Sequence, residues 1–153
     1  MPTTTTPTRN DAQIRGRIDA WAQALRAKDL NALMAHYASD IVTFDVMPLQ
    51  SLGADAYRKN FEAWFASAQG PIDYEIRDLR ITMRDDVAFS HYVGHVRSTR
   101  TTGEKNDYWV RVTMGFQKMN GQWMVTHEHV SVPFTNRETL RAALASSRSS
   151  VPG

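Results

Sequence analysis

The stretch "MNGQWMVTHEHVSVP", residues 119–133, gives the clearest local prediction in this chain. Asn120-Gly121 is the strongest short signal for a two-residue β-hairpin turn, because both positions of such a turn need positive φ. The turn also sets the register, so that Met119 pairs with Gln122 and the rest of each strand follows. The sequence therefore predicts that the last two β-strands form a hairpin.

The predicted register gives the hairpin one face that is more apolar than the other, and this face is expected to pack under the helices. His127 and His129 lie on it, so both imidazoles would point inward. Glu128 lies on the opposite face, where an ion pair with Arg111 across the strands is predicted. That outer face is still apolar for a solvated surface, which indicates a dimer interface.

Composition restricts the class of protein. The chain has 153 residues, 42% of them hydrophobic and 22% charged, as expected of one globular domain. A net charge of +2 without a basic run argues against a nucleic-acid partner. The absence of cysteine excludes disulfides and thiolate sites. No apolar run is long enough for a membrane span, and "MPTTTTPTRN" lacks the apolar part of a signal peptide, so a cytoplasmic location is expected.

The order of the segments predicts an α+β domain. Residues 1–9 are expected to be a disordered tail, residues 10–147 a single domain and residues 148–153 a frayed end. Helical spacing begins at Asp11, breaks near Asp29 or Asn31 as an N-cap, and returns over residues 54–70. The chain then has strand patterns up to Pro133. Within the first of these the apolar alternation shifts parity near Leu79, which is typical of a β-bulge. A short helix follows.

Three segments together resemble the nuclear transport factor 2-like superfamily, and within it the SnoaL-like polyketide cyclases and ketosteroid isomerase homologues. They are "WAQALRAKDLNALMAHYASDIVTFDV" (21–46), "YRKNFEAWF" (57–65) and the hairpin itself. The resemblance covers residues 11 to about 135. It implies a cone-shaped, cystatin-like fold, in which N-terminal helices pack on a strongly curved mixed or antiparallel sheet. A pocket then lies on the concave side, and the opposite face often forms a dimer.

The resemblance implies several activities, because the superfamily includes isomerases, cyclases, dehydratases and non-catalytic scaffolds. Asp45 matches the general base of the steroid isomerases. The tyrosine donor of those enzymes falls at Trp21, and their protonated aspartate falls near Met114, so two of the three catalytic groups are absent. The closing strand is also similar to the association domain of a calmodulin-dependent kinase, which only assembles subunits.

Asp45, His127 and His129 are the candidate catalytic residues. Asp45 lies among apolar neighbours, which would raise its pKa toward the range of a useful base; alternatively it is a strand-end aspartate bonded to nearby backbone. One of the two histidines would shuttle a proton or orient the developing oxyanion. Two alternatives stay open for them: a structural role, or a metal site with Asp45 as third ligand.

The sequence therefore predicts an enzyme that needs no metal or other cofactor and acts on a small apolar carbonyl compound, as a homodimer. A non-catalytic module for small-molecule binding or assembly is the alternative. The residues predicted to contact the substrate are mostly aromatic: Trp21, Tyr37, Phe61, Trp64, Tyr92, Tyr108 and Met114.

Overall fold

The structure, a computed structural model, describes residues 8–147. The predicted disordered tail and frayed end therefore lie largely outside the described residues. Thr8 and Arg9 belong to the helical region rather than to a tail, because Thr8 is the N-cap of the first helix and Arg9 is its first residue. The Thr8 side chain accepts a hydrogen bond from the backbone N–H of Asp11, as an N-cap residue does.

Helices and strands follow each other in the predicted order. The elements of the described part are α1 (Arg9–Ala27), α2 (Leu30–Met34), β1 (Tyr37–Phe44), β2 (Ser51–Leu52), α3 (Ala54–Ser67), β3 (Ala68–Arg84), β4 (Val87–Arg100), β5 (Lys105–Met119), β6 (Gln122–Ser131) and α4 (Arg137–Ser147). The six strands form one sheet in the order β2-β1-β6-β5-β4-β3. β1 pairs with β6 in parallel, and the other neighbours are antiparallel. The α+β class with a mixed sheet is confirmed.

The break between the first two helices has a local cause. Lys28 ends α1 in the left-handed conformation, with a φ of 53°. Asp29 then caps α2 by accepting a hydrogen bond from the backbone N–H of Ala32 at 3.0 Å. Asp29 is thus the residue, of the two predicted from the sequence, that performs the capping.

Within the described residues, no helix has both the length and the apolar character that crossing a bilayer requires.

The core lies between the helices and the concave face of the sheet. Ile14, Ile18, Trp21 and Leu25 recur every three or four residues along α1, so they form one apolar stripe, and each is at most 4% exposed. Burial of a large apolar side chain of this kind contributes about 1.5–3 kcal/mol to folding. The stripe covers only part of the concave face, and the uncovered part becomes the cavity described below.

Gly94 allows β3 and β4 to build one wall of that cavity. A Cβ atom at Gly94 would lie 2.7 Å from the hydroxyl oxygen of Tyr74 and 3.0 Å from a methyl group of Val110. Because glycine has no Cβ, the Tyr74 ring can cross β4 at this point. The Tyr74 hydroxyl then lies 3.0 Å from the Tyr92 hydroxyl, and the two share a hydrogen bond.

Two of the register shifts in the sheet bear on the predicted strands. The first interrupts the pairing of β3 with β4 between Arg77 and Arg80, where Asp78 has a φ of 57°. It confirms the bulge predicted from the parity shift near Leu79. The second lies in β6. Phe116 pairs with Val125, but the preceding Gly115 pairs with His127, so Thr126 is an extra residue with no opposite partner.

The second bulge reverses part of the predicted hairpin. The turn at Asn120-Gly121 has positive φ at both residues, and the predicted pairs from Met119 with Gln122 to Phe116 with Val125 are confirmed. Beyond Thr126 the predicted register is wrong by one residue, because Met114 pairs with Glu128 instead of His127. A one-residue shift moves every later side chain to the other face of the strand.

The orientations predicted for three side chains are therefore wrong. Glu128 is on the concave side and only 2% exposed, whereas His129 is exposed and His127 is half-buried. The predicted ion pair between Arg111 and Glu128 does not form. The Arg111 Nε instead donates a hydrogen bond to the Ser131 hydroxyl at 3.1 Å.

Candidate active site

A cavity of about 290 Å³ lies where the concave face of the sheet is not covered by α1. This volume is at the small end of the usual range for ligand sites, roughly 300–1,000 Å³. Aromatic and aliphatic side chains form most of its wall. The lining residues are Trp21, Asp45, Val46, Met47, Tyr57, Asn60, Phe61, Trp64, Tyr74, Val96, Tyr108, Val110, Glu128 and Val130.

Asp45 is one of two carboxyl groups on this wall. It directly follows β1 and is half-buried. Its Oδ1 accepts a hydrogen bond from the backbone N–H of Val46 at 2.6 Å. Burial raises the pKa of Asp45, while this bond and a hydrogen bond from the Tyr57 hydroxyl act in the opposite direction by stabilising the charged form. Asp45 is thus a carboxylate with increased basicity and restricted orientation.

Glu128, on β6, is the second carboxyl group and the more deeply buried one. Burial raises its pKa to about 8, and the negative charge of Asp45 contributes to the increase. Hydrogen bonds from Tyr37 and Tyr57 partly offset these effects. Glu128 is therefore protonated at neutral pH and can donate a hydrogen bond. Its Oε2 has no hydrogen-bond partner among the described residues, although it is buried.

A chain of hydrogen bonds holds Glu128 in place from behind. The Trp21 indole N–H donates to the Tyr37 hydroxyl at 2.7 Å. An indole nitrogen can only donate, so the Tyr37 hydroxyl keeps its own proton for Glu128. The Tyr57 hydroxyl lowers the pKa of both carboxyl groups, so it acts on Asp45 and Glu128 together.

The predicted substrate-contacting residues fall into two groups. Trp21, Phe61, Trp64 and Tyr108 line the cavity, whereas Tyr37, Tyr92 and Met114 do not. Tyr37 supports Glu128 from the core, and Tyr92 shares its hydroxyl with Tyr74, as described above. Met114 is a core residue that borders a separate space of about 10 Å³ beside His36 and Arg17.

The predicted catalytic histidines are not part of the cavity wall. His127 Nδ1 lies 2.7 Å from the backbone carbonyl oxygen of Val42, a contact that fixes its ring against β1. The Phe44 ring packs edge-on against both imidazoles, with centroid distances of 5.0 Å to His127 and 5.5 Å to His129. The histidines are thus not brought together with Asp45. Within residues 8–147, no cluster of three His, Asp or Glu side chains is arranged to hold a metal ion.

Glu128, Tyr57 and Asn60 also line the cavity and were missed in the sequence. The apolar parity of the last strand changes from Trp123 and Val125 to Val130 and Val132. The same kind of change indicated the bulge in β3. The same reasoning, applied to β6, predicts one extra residue between Val125 and Val130. That extra residue turns Glu128 inward.

The fold and the cavity define a class of protein: an α+β cone whose concave side carries one buried and one half-buried carboxyl group among aromatic rings. The sequence pattern of the SnoaL-like domain matches residues 14–135, so the chain belongs to the SnoaL-like family. No curated protein matches the chain.

Solved structures agree with this assignment. An NTF2-like protein of unknown function from Pseudomonas putida is 35% identical, with a TM-score of 0.75 over 85% of this chain and 90% of that one. A ketosteroid isomerase-like protein from Erwinia carotovora atroseptica is 20% identical, with a TM-score of 0.73 over 83% and 98%. The CaMKII association domain of C. elegans is 16% identical, with a TM-score of 0.66 over 80% and 95%. The last two likenesses show the fold alone.

Proposed function

We propose that this protein is an enzyme that moves protons on a small, largely apolar carbonyl compound without a cofactor, in the manner of an isomerase, cyclase or dehydratase. The observation that carries the proposal is the pair Asp45 and Glu128 on the wall of one apolar cavity. Burial raises the pKa of both groups, and Asp45 raises that of Glu128 further. Such a pair provides a base and an acid near neutral pH.

Asp45 is the proposed base. Its carboxylate takes a proton from the carbon beside the carbonyl group, the C–H electron pair forms the C=C bond of an enolate, and the C=O π pair moves onto the oxygen. In a β,γ-unsaturated ketone, return of the proton to the γ carbon re-forms the carbonyl group and gives the conjugated isomer. In a β-hydroxy ketone, the C–O electron pair leaves with the hydroxyl group, which takes the proton back from Asp45 and departs as water. The apolar wall favours this step, because exclusion of water strengthens every interaction with the developing charge.

Glu128 is the proposed donor, in the role that the sequence gave to His127 or His129. At neutral pH its protonated carboxyl can donate a hydrogen bond to the carbonyl oxygen, where negative charge develops in the enolate. By the family resemblance, the protonated aspartate of the steroid isomerases falls near Met114 of this chain. Glu128 is paired directly with Met114 on the neighbouring strand, so this chain can supply a carboxyl group to nearly the same place from β6.

Deuterium exchange tests the proposal before any natural substrate is known. 1-Tetralone is a compact bicyclic ketone whose C2 protons exchange slowly with D2O at neutral pH, and ¹H NMR follows their loss. We expect the protein to accelerate exchange at C2 without any added cofactor. Binding of the ketone without accelerated exchange would contradict the enzyme proposal and favour a small-molecule binding module of the same fold.

The outer face of the sheet is the proposed surface of a homodimer. Phe89, on β4, is 47% exposed there, and further along the same face the Trp109 ring stacks on His95 with a centroid distance of 4.3 Å. Light scattering is expected to give twice the mass of the chain for the unmodified protein and the mass of one chain for Phe89→Lys. Leu52→Lys, at an exposed position on β2, is the matched control and should stay dimeric. A monomeric unmodified protein would contradict the proposal.

A further inference from the structure

We infer that the cavity selects neutral ketones and rejects carboxylates of the same size, with Glu128 as the residue that recognises the carbonyl oxygen. This inference rests on the proposed function and specifies its substrate class. It follows from the charges on the cavity wall, from the unpartnered oxygen of Glu128 and from the way the polar groups are already engaged.

The charged lining residues are all acidic. Among residues 8–147, Asp45 and Glu128 are the only ionisable side chains on the wall besides tyrosines, and no Lys, Arg or His side chain of that range lines it. An anionic ligand would therefore be buried without a counter-charge and beside the Asp45 carboxylate. Burial of an unpaired charge is so costly that such a ligand binds in its neutral form or not at all. The wall thus discriminates against anions by charge alone.

Glu128 offers the ligand a hydrogen bond that the protein does not use. Glu128 lines the cavity, and its Oε2 is buried without a partner within the described part of the chain. A buried polar atom without a partner is costly, so a ligand oxygen that pairs with it is favoured over an apolar group of equal size.

Asp45 is already engaged at one oxygen, since the backbone N–H of Val46 donates a hydrogen bond to its Oδ1. Asn60 is also engaged, because its Nδ2 donates to the Ser51 hydroxyl at 2.8 Å. Trp64 and Phe61 provide flat apolar surfaces around these groups. The cavity therefore suits a compact ring system that carries one neutral oxygen acceptor.

Three bicyclic ligands that differ in one substituent test the inference: 1-tetralone, tetralin and tetralin-1-carboxylate. Calorimetry at pH 7 is expected to give tetralin about tenfold weaker binding than 1-tetralone, because one buried hydrogen bond is lost. The carboxylate is expected to bind at least about a hundredfold more weakly than the ketone. The affinity of this carboxylate should rise about tenfold for each unit by which the pH is lowered toward the pKa of the ligand, because the ligand binds as the neutral acid.

The pH dependence of ketone binding identifies Glu128 as the donor. Binding of 1-tetralone is expected to weaken above about pH 8 in the unmodified protein, where Glu128 loses its proton. In Glu128→Gln this weakening should disappear, because an amide keeps an N–H donor and does not titrate. Glu62→Gln, an exposed position on α3, is the matched control and should keep the weakening.

The outcomes separate this inference from the proposed function. Carboxylate binding within tenfold of the ketone at pH 7 would overturn the inference, and so would a lack of measurable ketone binding. Equal binding of tetralin and the ketone would remove Glu128 as the recognising group. Ketone selectivity without exchange at C2 would instead support the inference and count against the proton-transfer enzyme.

Discussion

Asp45→Asn is expected to lower the rate constant for exchange at C2 of 1-tetralone by about 10³-fold at pH 7, the middle of the range for loss of a general base. Asparagine keeps the shape of the side chain and an oxygen that can accept from the Val46 N–H, but it cannot take up a proton. Affinity for the ketone is expected to change by less than about threefold, because Asp45 acts on the ligand mainly during the reaction.

Asp40→Asn is the matched control for this variant. Asp40 lies on the same strand, β1, but it is exposed and does not line the cavity. Exchange catalysed by this control should equal that of the unmodified protein. An Asp45→Asn variant that kept more than a tenth of the exchange rate would remove Asp45 as the base. Circular dichroism of both variants separates loss of chemistry from loss of folding.

The second large effect concerns Glu128 and pH. The catalysed exchange, expressed as kcat/KM, is expected to fall about tenfold per pH unit above about pH 8, because Glu128 must carry its proton in order to donate. In Glu128→Gln this alkaline decrease should vanish. The rate at pH 7 should fall about 10- to 100-fold, since an amide is a weaker donor than a carboxylic acid. ¹H NMR of samples quenched at timed intervals over pH 6–10 measures the alkaline decrease and the rate at pH 7.

Stability should depend on pH with a defined sign. The native protein holds the Glu128 proton up to about pH 8, whereas the unfolded chain releases it near the ordinary value of 4.5. Between these values the native state binds more protons, so the free energy of unfolding decreases as pH rises. From pH 5 to pH 8, Glu128→Gln should gain stability relative to the unmodified protein, by an amount on the order of 3 kcal/mol.

Urea denaturation at the two pH values measures this gain, and Glu62→Gln again serves as the control. Glu62 is exposed on α3, so its replacement should leave the pH dependence unchanged. If Glu128→Gln and the unmodified protein lost the same stability from pH 5 to pH 8, Glu128 would not be a buried, protonated acid. The role proposed for it as donor would then fail as well.

Much of the fold could be predicted from local signals. The apolar spacing along α1, the cap at Asp29 and the turn at Asn120-Gly121 each depend on neighbouring residues, and the structure confirms all three. The parity shift near Leu79 was also sufficient to predict the bulge in β3. The parallel pairing of β1 with β6 leaves no comparable local signal, because it joins segments far apart in the chain.

The site was harder to predict than the fold. Asp45 was identified from its position in the family resemblance, and the structure places it on the cavity wall. Glu128 was missed because one unpaired residue, Thr126, reverses the faces of the strand after it. The two histidines were chosen because the regular register placed them on the inward face, and the bulge places them on the other face. The tyrosine contacts of Glu128 depend on tertiary packing and have no sequence pattern.

The bulge at Thr126 makes the chemistry of the last strand depend on a count of residues rather than on their identity. Loss of the codon for Thr126 would join Val125 directly to His127, so the two strands could pair without a bulge and the carboxyl group of Glu128 would stay inside, opposite Met114. If the strands instead paired regularly with Thr126 retained, His127 and His129 would turn inside and Glu128 outside. The choice between bulged and regular pairing thus decides whether descendants of this chain carry an acidic hollow or an imidazole-bearing one.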